Sequence, residues 1–201
     1  MIVGYDGQRY TGYNVAPGKE FAGAVMARLN DHHDKYDAGA EMKRWHGLTT
    51  LLSPGFSGIG PSDRQEDGYS KGELDAGAIT ESLHRSGGVI DESIKIITHS
   101  MGGAFGKGYV KAILGYAKEN KIAGVKIAFE ADFAPFQPGD QSAVSGISTL
   151  QFSNDHDGAA NSWINPFKAT TGAKVMTNDN KNKGHSIFDF LDKIKYLPAG
   201  N

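Results

Sequence analysis

The chain has 201 residues, a formal net charge of −2 and no cysteine. That length is a prior for one domain over residues 1–201 with a core of its own, and the missing cysteines exclude a disulfide framework, a zinc finger and a thiol nucleophile. The near-neutral charge argues against a nucleic-acid partner, which needs a basic face; no apolar run reaches the ~18 residues of a membrane span; and residues 1–7 lack the basic and apolar regions of a signal peptide, so the expectation is a soluble chain, cytoplasmic or exported within a larger protein.

In chain order, residues 2–13 alternate around Asp6-Gly7, the pattern of a hairpin. Phe21, Val25 and Leu29 recur at helical spacing and predict an amphipathic helix over 18–34. Leu48 to Leu52 reads as a short strand stopped by Ser53-Pro54-Gly55. The Gly-, Ser- and Asp-rich stretch from Gly55 to Gly72 reads as a long loop. A helix is expected over 73–85 on the spacing of Leu74, Ala78, Ile79 and Leu83. The β-branched run 94–98 reads as a buried strand. A helix is expected over 102–118, further strands over 125–129, 149–152 and 173–177, and a final helix over 187–197. Strands alternating with helices predict an α/β three-layer sandwich on a mostly parallel sheet.

The segment Ile-Ile-Thr-His-Ser-Met-Gly-Gly-Ala, 96–104, carries the chemistry. A buried strand runs into Ser100 and a helix starts directly after it, which is the context a nucleophile elbow requires. The turn needs small residues two before and two after the serine; Gly102 fits, and Thr98 departs from the usual glycine. The alternative for Ser100 is a plain helix N-cap. Asp157 and His185 follow in the order Ser, Asp, His, each in a loop after a strand, at the carboxyl edge where open α/β sheets place ligands. In such an arrangement His185 takes the serine proton and Asp157 fixes the imidazole tautomer. One oxyanion donor would be the N–H of Met101. The other would come from the loop after the strand at 48–52, Phe56 or its neighbour Ser57.

Residues 48–190 resemble an α/β-hydrolase core, and Thr-His-Ser-Met-Gly-Gly is similar to the elbow of lipases and esterases. Pro54-Gly55-Phe56 stands where that family has a His-Gly oxyanion turn, without the histidine, and Gly184-His185 resembles the family's histidine loop. Some lipases, the pancreatic type among them, carry the acid after the preceding strand, which makes Asp132 a rival to Asp157; Asp155 is a third candidate. The resemblance implies ester hydrolysis of a small-molecule or lipid substrate without a cofactor. A fainter resemblance to the variable C-terminal segments of bacterial RHS-repeat proteins implies a larger parent protein. The alternative reading is a non-catalytic binding or toxin module on the same scaffold.

Other motifs fail on spacing. Asp31-His32-His33-Asp34 has ligand residue types, but adjacent histidines point ~100° apart on a helix, so no metal site is expected there. Gly102 to Lys107 misses the phosphate-loop spacing, and Asp155 to Gly158 and Asn178 to Asn180 fit no Ca²⁺ loop. His99 reads as structural, packed behind the elbow. The polar stretch 58–72, with Asp63, Arg64, Glu66, Asp67, Tyr69 and Lys71, is unlike a lipid-covering lid. A shallow site is therefore expected, with Tyr69, Phe56, Phe133, Phe136 and Trp163 as acyl-pocket candidates.

Overall fold

The computed structural model describes residues 1–6, 18–37, 60–154, 157, 169–178 and 184–200. The elements are β1 (Ile2–Asp6), α1 (Gly18–Leu29), β2 (Asp34–Asp37), α2 (Pro61–Ser82), β3 (Arg85–Ser86), β4 (Val89–Ile90), β5 (Ile94–His99), α3 (Gly102–Glu119), β6 (Ile127–Phe133), β7 (Thr149–Asn154), β8 (Lys174–Asn178) and a C-terminal 3-10 helix (Ile187–Tyr196). Six strands form one sheet in the order β2-β1-β5-β6-β7-β8. Every pairing in it is parallel. β3 and β4 make a separate small hairpin. The fold is a three-layer α/β sandwich.

Helices cover both faces, so the central strands are apolar on both sides. Val3, Ile94 and Ile96 face α2 and α3 and pack with Ile79, Phe105, Tyr109 and Ile113. Ile2, Ile97, Ala131 and Phe133 face α1 and the C-terminal helix and pack with Phe21, Val25, Phe190 and Ile194. Phe133 centres the second layer. Its ring stacks on Phe152 at 4.5 Å and meets Phe21 edge-on at 5.0 Å. It is fully buried core and not the pocket wall that sequence reading allowed.

Four expectations are corrected. β1 pairs in parallel with β2 and β5 instead of turning into a hairpin. α1 ends at Leu29, and the strand β2 follows it. The stretch read as a polar loop to residue 72 is helical from Pro61, one helix continuing to Ser82. Proline at its first position and Asp63 in its first turn suit a helix start. The glycines within it serve close packing: a Cβ on Gly68 would collide with the Phe105 carbonyl, and one on Gly108 of α3 with the Gln65 carbonyl. Finally, the closing helix has 3-10 geometry. The strand expected at 48–52 lies outside the described residues. No helix among the described residues is long and apolar enough to cross a membrane.

Candidate active site

β5 delivers the chain to Ser100 and α3 carries it away two residues later. Between them Ser100 adopts φ 57°, a left-handed conformation that non-glycine residues seldom accept. The surroundings hold it there. Its N–H donates to the Phe133 carbonyl at 3.0 Å, and its own carbonyl accepts from Phe136 N–H at 3.0 Å and Gly103 N–H at 3.2 Å. The strained backbone is thereby tied to the ends of β6 and α3. Strain retained in this way concentrates at functional sites.

The Ser100 side chain does not cap the helix. Its Oγ lies 2.6 Å from His185 Nε2. On the other side of the ring, His185 Nδ1 stands 2.8 and 2.9 Å from the two carboxylate oxygens of Asp157. With the carboxylate as acceptor, Nδ1 carries the proton and Nε2 is left to accept from the serine hydroxyl. Asp157 is 1% exposed and Ser100 6%. Three residues far apart in the chain therefore form one chain of hydrogen bonds at the carboxyl edge of the sheet.

Asp132 goes elsewhere. Side chains alternate between faces along a strand, and Asp132 shares the α3 face with Thr98, its register partner in β5. It accepts from Thr98 Oγ1 at 2.5 Å and from Lys107 Nζ at 2.5 Å. Lys107 also reaches Glu130 at 3.4 Å and the Gly103 carbonyl at 3.2 Å. Lys107, Asp132, Glu130 and Thr98 are all fully buried. Burial pulls the Lys107 ammonium down, but the charges of Asp132 and Glu130 outweigh it and hold it above the usual lysine range. Glu130 is pushed up to about 8, by burial first and by the Asp132 charge second. One buried ammonium thus faces two buried carboxyl groups, of which Glu130 is pushed toward its neutral form. Thr98, the departure from the elbow pattern, serves this cluster with its hydroxyl. Its methyl group fills the space over Gly106, where a Cβ would come within 2.7 Å.

The remaining candidates divide plainly. Met101 is the N-cap residue of α3, with helical backbone and no side-chain cap at that end, the end of a helix where an anion is favoured. Phe56, Trp163 and Asp155 lie outside the described residues. Phe136 is half-buried beneath the Arg64 guanidinium, 5.3 Å from its ring centre. Arg64, 1% exposed, ties α2 to the segment after β6 by donating to Gln137 Oε1 at 3.0 Å; burial lowers its pKa to about 10. Tyr69 is on α2, 39% exposed. Asp31 bonds Lys95 and the Met1 ammonium, and His33 bonds Glu92. Among the described residues no group of three metal-ligating side chains comes together.

Sequence reading gave no role at the site to two side chains that contact it. His99 Nε2 lies 2.7 Å from the His185 carbonyl, and Asn154 Nδ2 donates to the Gly184 carbonyl at 2.7 Å.

No protein-family model matches the chain. No curated protein matches it either. Among solved structures it is similar to a protein from Xanthomonas campestris pv. campestris assigned as a hydrolase of the α/β superfamily, with a TM-score of 0.56 and 12% identity. The alignment covers 97% of this chain and 93% of that one. At that identity the likeness is one of fold, and it extends over nearly all of both chains.

Proposed function

We propose that the chain is a serine hydrolase that cleaves carboxylic esters, lipid or small-molecule, through an acyl-enzyme on Ser100. The observation that carries this reading is the unbroken hydrogen-bond chain from Ser100 Oγ through the His185 imidazole to Asp157. The superfamily fold of the Xanthomonas neighbour and the lipase-like Thr98–Gly103 segment support it.

The chemistry follows from the three groups in turn. The Ser100 hydroxyl gives its proton to His185 Nε2 as Oγ attacks the ester carbonyl. Asp157, holding Nδ1–H, keeps the imidazole in the accepting tautomer and stabilises the imidazolium that forms. The developing oxyanion sits at the amino end of α3, with the Met101 N–H as a donor. Collapse of the tetrahedral intermediate breaks the ester C–O bond, and His185 delivers its proton to the departing alcohol. Water then gives a proton to His185 and adds to the acyl carbon. Collapse releases the carboxylic acid and returns the proton to Ser100 Oγ.

The test is hydrolysis of short p-nitrophenyl esters by the wild type and Ser100→Ala. The wild type turns over with an initial burst of nitrophenol. The variant loses roughly 10⁴-fold or more in kcat, the scale of removing a serine nucleophile, with its melting temperature unchanged. A Ser100→Ala protein with wild-type turnover overturns the reading.

A further inference from the structure

The segment bearing His185 reaches Ser100 from the face of the sheet covered by α1 and the C-terminal helix, and two buried polar side chains on that face meet it. His99, the last residue of β5, and Asn154, the last residue of β7, are both fully buried. His99 shares a face with Ile97, and Asn154 with Phe152, two residues earlier in each strand. Each spends a donor on a main-chain oxygen. The Asn154 amide binds the Gly184 carbonyl, and His99 Nε2, necessarily as N–H because a carbonyl only accepts, binds the His185 carbonyl. The Gly184 N–H in turn donates to Asp189 Oδ2 at 3.0 Å, in the C-terminal helix. The His99 and His185 rings are 5.3 Å apart.

We propose that His99 and Asn154 are positioning residues. They form a two-point clamp on consecutive carbonyls that fixes the His185 backbone so that its imidazole spans Ser100 and Asp157. The proposal rests on the reading of His185 as the general base. The physical reason for two points is that one hydrogen bond leaves a loop free to pivot. Two bonds, from the ends of β5 and β7 on either side of β6, to adjacent peptides set both the position and the direction of the Cα–Cβ bond. Catalytic groups need placement to about 0.5 Å, and an error near 1 Å costs about 10²-fold in rate. A buried polar donor is costly unless paired; a packing role alone at these positions would be served by apolar side chains.

Three variants of the full chain test the clamp. His99→Phe keeps a ring and removes the donor. His99→Gln places an amide N–H near the lost Nε2–H. Asn154→Asp keeps the shape and exchanges donor for acceptor. Two readouts are taken on protein shown to be folded by its thermal transition: ester hydrolysis, and the low-field proton resonance of His185 Nδ1–H, which reports the bond to Asp157 without any turnover. The clamp predicts that His99→Phe and Asn154→Asp lower kcat by about 10–100-fold with KM within about 3-fold. It predicts that both broaden or lose the resonance, and that His99→Gln restores most of both. Retention of kcat and of the resonance in His99→Phe or in Asn154→Asp overturns it, as does a folded His99→Gln no better than His99→Phe. If His99→Phe does not fold, Asn154→Asp decides. If the wild type itself shows no hydrolysis, the ester reading falls, and the resonance still decides whether the clamp holds the imidazole.

Discussion

Asp132 and Asp157 are both buried aspartates near the carboxyl edge of the same sheet, yet they have opposite surroundings. Asp132 lies within β6, on the α3 face, where Lys107 and Thr98 claim it. Asp157 lies three residues beyond β7 and meets His185, which enters with the C-terminal helix on the other face. The difference is one of phase. A residue inside a strand is committed to one face by the pleat, and Asp132 is committed to the face His185 does not use. A residue in a loop beyond the strand is free of that constraint. Side-chain direction thus turns Asp132 away from His185 and toward Lys107, although both carboxylates follow suitable strands.

The comparison is broken most sharply by exchanging each carboxylate for its amide. Asp157→Asn lowers kcat by about 10³–10⁴-fold, since the amide cannot hold Nδ1–H in the required tautomer, and leaves the melting temperature close to wild type. Asp132→Asn acts in reverse. It leaves Lys107 buried without its nearest anion, at a cost of about 3–5 kcal/mol in stability, while kcat of the folded fraction stays within about 10-fold. Paired steady-state kinetics and thermal melts read both. The opposite ranking of the two kcat values moves the acid to Asp132.

A second prediction concerns the Lys107 cluster. Glu130 holds its proton up to about pH 8 in the folded chain, against an ordinary value of 4.5. Between these values the unfolded chain binds fewer protons than the folded one. The stability associated with neutral Glu130 is therefore fully present below about pH 4.5. It declines as pH rises toward 8, by at most about 1.4 kcal/mol per unit. Glu130→Gln, permanently neutral, removes that slope. Melting curves at pH 5, 6.5 and 8 are expected to fall more steeply for the wild type than for Glu130→Gln; parallel curves would show that Glu130 does not titrate late in the folded chain.

The smallest expected effect sharpens the contrast between strain and packing. Ser100 has φ 57°, a conformation glycine adopts without cost. Ser100→Gly is therefore expected to be more stable than Ser100→Ala by about 1 kcal/mol, measured by denaturant unfolding. Equal stabilities would mean the turn relaxes in the variants.

Much of the site was legible because its signals are local. The β-branched run at Ile94–Ile97 stops at a serine followed by Gly102-Gly103, and a strand-to-helix turn is the natural reading of that change in composition. The order of Asp157 and His185 after it followed from where strands end. What escaped was non-local. Ile2 and Val3 are buried on opposite faces, as in any central parallel strand, and this pattern does not distinguish β1 from a hairpin strand beside Asp6-Gly7. β2 is the edge strand Asp-Lys-Tyr-Asp, without an apolar run to mark it. The glycines at 68 and 72 looked like loop residues because the sequence does not say that α3 lies against them. His99 and Asn154 meet main-chain carbonyls from another part of the chain, and a main-chain partner leaves no residue type to read.

The most direct test of the central claim is covalent labelling of the folded protein with a fluorophosphonate, followed by peptide mass spectrometry. Stoichiometric modification is expected at Ser100, absent in Ser100→Ala and slowed in Asp157→Asn. A folded wild-type protein that takes up no label, or takes it at another residue, would contradict an activated nucleophile at the end of β5.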